Sequence, residues 1–180
     1  MDTLELMLAR RSIRRYTAED VSVADEERLL DAAFAAPSAD NARSWHFVCV
    51  RDVAMRRRLS DLNPWVRMLA TAPLVIAVLG RESANAWWIE DCSAAVENLL
   101  LEATALGLGA VWCGMREPLH EATGYEHACA EALGASPDEW RVAALVGVGH
   151  PAEHKSPRTQ RDATKVSYET FGTHARRESR

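Results

Sequence analysis

The stretch Asp91–Met115, "DCSAAVENLLLEATALGLGAVWCGM", decides how this chain folds. Asp91 to Leu106 is the longest helix signal in the sequence, and Gly107 stands where a helix commonly ends on a left-handed glycine. Val96, Leu99, Leu100, Leu101, Ala103 and Leu106 point around most of the circumference. A helix so apolar must be central, covered by its own domain on one side and by a second protomer on the other. "GAVWCGM" then reads as a strand.

Upstream, "APLVIAVLG" is too apolar for a strand with a wet face and belongs inside a sheet. "WHFVCVRD" is a further strand, rich in aromatic and β-branched residues, and Asp52 caps a charged helix whose Arg56, Arg57 and Arg58 read as a solvated face. Ser22 caps a helix with Leu29, Leu30, Ala33 and Phe34 as its buried stripe, stopped by Pro37 ahead of the loop "PSADNARS". Asp2 or Thr3 caps the first helix, with Leu4, Met7 and Leu8 on one side. Downstream, helix signals surround "EPLHEATGYEHACAEALG", and "WRVAALVGVGH" is the last core strand. Strands interleaved with helices predict an α+β or α/β sandwich. No repeat or linker divides residues 1–180, which read as one domain whose polar tail, 151–180, lies over another surface, the partner's being the first candidate.

The composition, 180 residues with 48% hydrophobic content and a formal net charge of -5, excludes disorder and argues against a nucleic-acid partner. No run of about 18 apolar residues suggests a membrane span, and the acidic, amphipathic start is unlike a signal peptide, so the expectation is a soluble cytoplasmic protein. Cys49, Cys92, Cys113 and Cys129 are far apart, without CxxC spacing, and read as reduced core thiols. His120, His127 and Cys129 can share a helix, but His120 and His127 are seven apart with no carboxylate at a matching turn between them, so no metal site is expected.

In this acidic chain "RRSIRRY", Arg10–Tyr16, concentrates four arginines. Guanidinium forks flanking a serine suit a phosphomonoester, which Arg10, Ser12 and Arg14 can grip; the alternative is a solvated cluster complementing a helix C-terminus. Gly107, Gly109 and Gly114 open a strand after a helix, the reverse of the dinucleotide fingerprint.

Four stretches together resemble the nitroreductase family of FMN-dependent oxidoreductases: "RRSIRRY", "APSADNARSWHFVCVRD", "DCSAAVENLLLEATALGLGAVWCGM" and "VGVGHPAE", in order across nearly the whole chain. The resemblance implies an α+β three-layer sandwich, a central, mostly antiparallel sheet flanked by helices, in a homodimer with a domain-swapped C-terminal tail. It implies two noncovalent FMN sites at the subunit interface. Arg10 and Ser12, within the cofactor-binding run that includes Arg11, take the phosphate, and Arg14 lies toward the ribityl chain or pyrimidine edge. Pro37, Ser38 and Asn41 reach the flavin from the other subunit. Trp112, Cys113 and Gly114 face the ring through their backbone, the Gly114 N–H toward N5. Arg161 fits a basic tail residue returning to the phosphate, with Arg158 and Lys155 as weaker candidates. Departures from the family pattern are Arg43 for a glutamine, Ser44 for a proline and Met115 for a second glycine; Arg43 either adds charge near a substrate or faces solvent.

The activity implied is ping-pong hydride transfer from NAD(P)H to an electron-poor small molecule, a nitroaromatic or quinone, with no catalytic side chain required. The sequence offers no Ser-His-Asp set or paired carboxylates. "RESANAWWIE" is the candidate lid, with Trp87 and Trp88 either stacking on an aromatic substrate or packing against the partner. Alternatives are a flavin-storing or flavin-sensing protein, or a relative specialised for dehalogenation, flavin fragmentation or heterocycle oxidation.

Overall fold

The computed structural model describes residues 1–117, 124–158 and 161–174. Along the chain come α1 (Thr3–Ala9), α2 (Val23–Phe34), β1 (Trp45–Val50), α3 (Val53–Ser60), β2 (Leu74–Gly80), α4 (Trp88–Ala105), β3 (Gly109–Gly114), α5 (Tyr125–Ala132) and β4 (Arg141–Gly149). The strands form one sheet in the order β1-β2-β4-β3, each neighbouring pair antiparallel. Part of the helix signal upstream of α5, residues 118–123, lies outside the described residues.

Every residue of β2 is buried, as its unbroken apolar run predicts for an interior strand. Its side chains alternate between two cores. Leu74, Ile76 and Val78 meet Leu29, Val96 and Leu99 of α2 and α4; Val75, Ala77 and Leu79 meet a second cluster that includes Leu59 of α3 and Cys129 of α5. Helices therefore cover both sheet faces in three layers. Each fully buried leucine contributes about 1.5–3 kcal/mol.

α4 ends as its glycine predicts: Gly107 has φ +75°, its N–H donates to Thr104 O (3.1 Å), and Leu108 N–H donates to Ala103 O (2.8 Å). It begins at Trp88, earlier than the expected Asp91. Trp87 caps it without a side-chain bond, and Asn85 Oδ1 instead accepts the Trp87 N–H at 2.5 Å. Leu99 and Leu100 are buried and Leu101 and Leu106 half-buried, so the chain itself covers more of this helix than its apolar circumference implied.

Two further expectations need correction. Phe34 is exposed, not buried in the α2 stripe, and meets Phe47 edge-on with ring centroids 5.1 Å apart. Arg56 leaves the solvated face of α3: its guanidinium donates to the carbonyls of Arg51 (3.2 Å), Ala70 (3.4 Å) and Ala72, satisfying acceptors just ahead of β2. Arg57 and Arg58 are exposed.

The tail begins against its own chain. Thr17 N–H donates to His150 O (2.9 Å), Ala152 N–H to Arg15 O (2.8 Å) and Arg158 N–H to Leu8 O (2.8 Å), so residues 150–158 run back along the arginine segment. Beyond it, Phe171 is fully exposed. Among the described residues, no helix is long and apolar enough to cross a membrane.

Candidate functional site

After α1, the chain from Arg10 to Tyr16 runs beside β3, the edge strand. Ser12 forms a parallel bridge with Ala110, and Ile13 N–H donates to Ala110 O at 2.9 Å. The approach requires glycine at 109, because a Cβ there would stand 2.6 Å from Ile13 Cγ2. Tyr16 fastens the other end, its hydroxyl 2.6 Å from Ile13 O and 3.1 Å from Gly147 O. Burial raises the Tyr16 pKa, so the phenol keeps its proton.

The arginines divide between supports. Arg10 Nε lies 3.3 Å from Glu97 Oε1 on α4, but this buried nitrogen makes no hydrogen bond of good geometry. Arg11 donates to Ser156 O in the tail. Arg14 is exposed, and its backbone N–H donates to Glu153 Oε1 at 2.5 Å. That bond first, opposed by desolvation and aided by Lys155, holds the Glu153 carboxyl below the usual carboxylate range. Lys155 Nζ donates to Ser12 O (2.5 Å) and pairs with Glu153 (3.5 Å). Lys155 is thus the tail base that reaches the segment through its side chain. Arg158 joins through its backbone, and Arg161 is exposed with no side-chain partner among the described residues.

Along β3, Trp112 and Gly114 are exposed while Val111 and Cys113 are buried. Cys113 faces the second core, 3.7 Å from Met68 Sδ, and burial pushes its thiol up to about 11, with Arg14 pulling weakly the other way. Met115 is also fully buried on that side, so this departure from the family pattern is absorbed by packing. The main chain alternates as well. Met115 N–H donates inward to Ala143 O and Ala110 O accepts from the arginine segment on the outer edge, which turns the Gly114 N–H to that same outer edge. A Cβ built on Gly114 would meet nothing within 4 Å.

The loop holding Pro37, Ser38 and Asn41 gathers at the start of α4. Three non-glycine residues adopt left-handed backbone: Asp40 (φ 51°), Asn41 (φ 53°) and Arg43 (φ 47°). Ser38 Oγ accepts the Arg43 N–H (3.1 Å), and Asn41 Oδ1 accepts from Arg43 Nε (3.3 Å). Pro37, Ser38, Ala39, Trp87 and Ala94, with the carboxylate-bearing Glu90 and Asp91 of α4, line a depression of about 490 Å³. Trp88 packs in the core against Gly80, whereas Trp87 is exposed, so the two tryptophans take different roles. The lid candidate is tied down: Arg81 lies over Trp140 (4.4 Å to the ring centroid), Glu82 pairs with Arg141 (3.6 Å) and Asn85 bonds Asp91 (2.9 Å). Bonding to Glu126 raises the Arg141 pKa further. Ser12 is bridged to Ala110 on the strand that carries Trp112–Gly114, with Arg10, Arg11 and Arg14 on the same segment, while the Pro37–Asn41 loop belongs to the first turns of α4. Asp91 and Glu153 were not singled out from sequence, and Ser44 only as a departure from the family pattern; the available signal was a carboxylate at 91 in register with the face that α4 buries.

A cationic segment laid on the edge of an antiparallel sheet, with helices on both faces, is the architecture expected of a nitroreductase-type oxidoreductase. The chain belongs to the nitroreductase family, whose model matches residues 7–65 and 60–150. It is 34% identical over 174 residues, 95% of this chain and 88% of the relative, to a protein of Methanothermobacter thermautotrophicus provisionally named NADH dehydrogenase/NAD(P)H nitroreductase. An FMN-dependent nitroreductase from Clostridium difficile superposes with a TM-score of 0.89 at 29% identity, covering 94% of this chain and 100% of that one. A provisionally named nitroreductase from Desulfovibrio desulfuricans, solved in complex with FMN, gives a TM-score of 0.79 at 32% identity, over 93% of this chain and 96% of the other.

Proposed function

We propose that the protein is a homodimeric NAD(P)H oxidoreductase that holds FMN noncovalently and reduces an electron-poor small molecule, such as a nitroaromatic or quinone, by a ping-pong route. One observation carries the reading: the outward Gly114 N–H and the open space over its Cα lie on the same strand edge as the arginine segment. The residues present fit the cofactor. Arg10 has a buried nitrogen lacking a hydrogen bond, Ser12 adds a neutral donor, and Gly114 leaves room that any side chain would occupy.

Arg10 and Ser12 bind the phosphate, aided by the Lys155 charge that already braces Ser12 O. Arg14 sets positive charge toward the pyrimidine edge, and the Gly114 N–H orients the ring. FMN, when bound, supplies hydride transfer at N5. Donor and acceptor occupy one face in turn, so the chain's task is orientation and charge placement. The exposed Leu4, Met7 and Phe171 support a second protomer as their cover.

The test is an absorption spectrum of the purified protein, anaerobic titration with NADH and with NADPH, and turnover with a nitroaromatic or quinone acceptor, with light scattering for the dimer. A yellow dimer bleached by donor and recoloured by acceptor is expected. A protein that cannot be reconstituted with FMN overturns the reading; a yellow protein with negligible turnover would mark flavin storage.

A further inference from the structure

We propose that Asp91 is the positioning residue that fixes the loop Pro37–Ser44 in its flavin-facing form and locks it to the segment Arg81–Trp87. This inference rests on the flavin reading above. Asp91 is only 4% exposed, and among the described residues no cation pairs with it. Instead three neutral donors converge on its carboxylate: Ala39 N–H on Oδ1 at 2.9 Å, Ser44 Oγ–H on Oδ2 at 2.8 Å and Asn85 Nδ2 on Oδ2 at 2.9 Å. A charge removed from water requires such donors, and a place in the first turn of α4 adds the favourable end of the helix dipole.

The donors sit where the strain is. Ala39 and Ser44 bracket the left-handed residues Asp40, Asn41 and Arg43, a strained conformation that persists only where the surroundings enforce it. Asp91 grips both ends of that run. Ser44, which departs from the family pattern, supplies a hydroxyl donor that a proline lacks. Ser44 O also accepts the Arg81 N–H at 2.9 Å, and with Asn85 this couples the loop to the segment carrying Trp87. One buried carboxylate therefore governs both walls of the depression next to the candidate flavin contacts.

The test compares wild type, Asp91→Asn and Ser44→Ala. The readouts are amide hydrogen exchange, the FMN dissociation constant, kcat at saturating FMN and the melting temperature of the flavin-free protein. Asp91→Asn keeps the shape but turns an amide NH2 toward a donor. Exchange at residues 38–44 and 81–87 should rise about tenfold or more with β2 and β4 unchanged, and FMN affinity should fall about tenfold. Ser44→Ala, which removes one donor, should lose about threefold and decides the matter if Asp91→Asn does not fold. Unchanged exchange overturns the lock. Faster exchange with FMN affinity within about twofold of wild type overturns the positioning role, leaving Asp91 merely structural. A wild-type protein that takes no FMN overturns the flavin reading itself, while exchange at 38–44 still shows whether Asp91 holds the loop.

Discussion

Arg10 has two duties that one substitution separates. Its pairing with Glu97 joins partly solvated groups and is worth at most about 1 kcal/mol, whereas a charge-assisted bond to a phosphate is worth about 1.5–3 kcal/mol. Arg10→Ala should therefore weaken FMN binding by roughly tenfold to a hundredfold while lowering the melting temperature of the flavin-free protein by only a few degrees. Fluorescence titration reads the first and calorimetry the second; equal flavin affinity in the variant would remove Arg10 from the phosphate site. Cys113 presents the opposite case, a residue beside the site that takes no chemical part. With burial pushing its pKa up to about 11, roughly one thiol in ten thousand is ionised at neutral pH. The native protein should resist a thiol-reactive disulfide at this position, and Cys113→Ala should retain flavin and turnover. Rapid modification of Cys113 without unfolding would contradict its placement in the core.

At the scale of elements, β3 carries two glycines with different reasons for being glycine. Gly109→Ala drives a methyl into Ile13, so the arginine segment must lift from the strand, costing about 1–3 kcal/mol and reducing flavin affinity together with stability. Gly114→Ala meets only open space, so the fold should melt within a degree or two of wild type while flavin binding and turnover fall. Melting curves and FMN titrations of the two variants should separate in this way; parallel losses would mean that the Gly114 face is not the ligand face. The elements were legible in the sequence because burial leaves a local pattern: β2 shows it as the unbroken apolar run "LVIAVLG" and α2 in the four-residue spacing of Leu29 and Ala33. The start of α4 was not, because Asn85 fixes it from outside the helix and Trp87 carries no capping group. Arg56 was misread because two of its three acceptors, the carbonyls of Ala70 and Ala72, belong to another turn. The same reason divides the site. Four arginines in an acidic chain stand out locally, but Glu153 reaches Arg14 across 139 positions and Asp91 reaches Ala39 across 52, and such pairs leave no periodic mark.

For the whole molecule, the raised thiols predict a loss of stability in alkali. Burial raises Cys49, Cys92 and Cys129 from 9.0 to about 12 and Cys113 to about 11, and Tyr16 moves in the same direction. The folded chain therefore keeps protons that the unfolded chain releases once pH passes the unfolded thiol value near 9.0. This stability is fully present below that value and is lost as pH rises from it through the folded values. Glu153 acts in the other direction: its lowered pKa contributes stability present above its unfolded value of 4.5 and lost as pH falls, but it is a single, partly solvated carboxylate, so the acid limb should be the shallower. Calorimetry of the flavin-free protein should give a melting temperature nearly level from about pH 6 to 8.5, then falling steeply above pH 9. Replacing Cys92 and Cys129 together by alanine lowers the plateau through lost packing but removes two of the groups whose ionisation drives the decline, so the alkaline slope of the variant must be flatter than that of the parent. Equal slopes would leave Cys92 and Cys129 without a part in the alkaline transition.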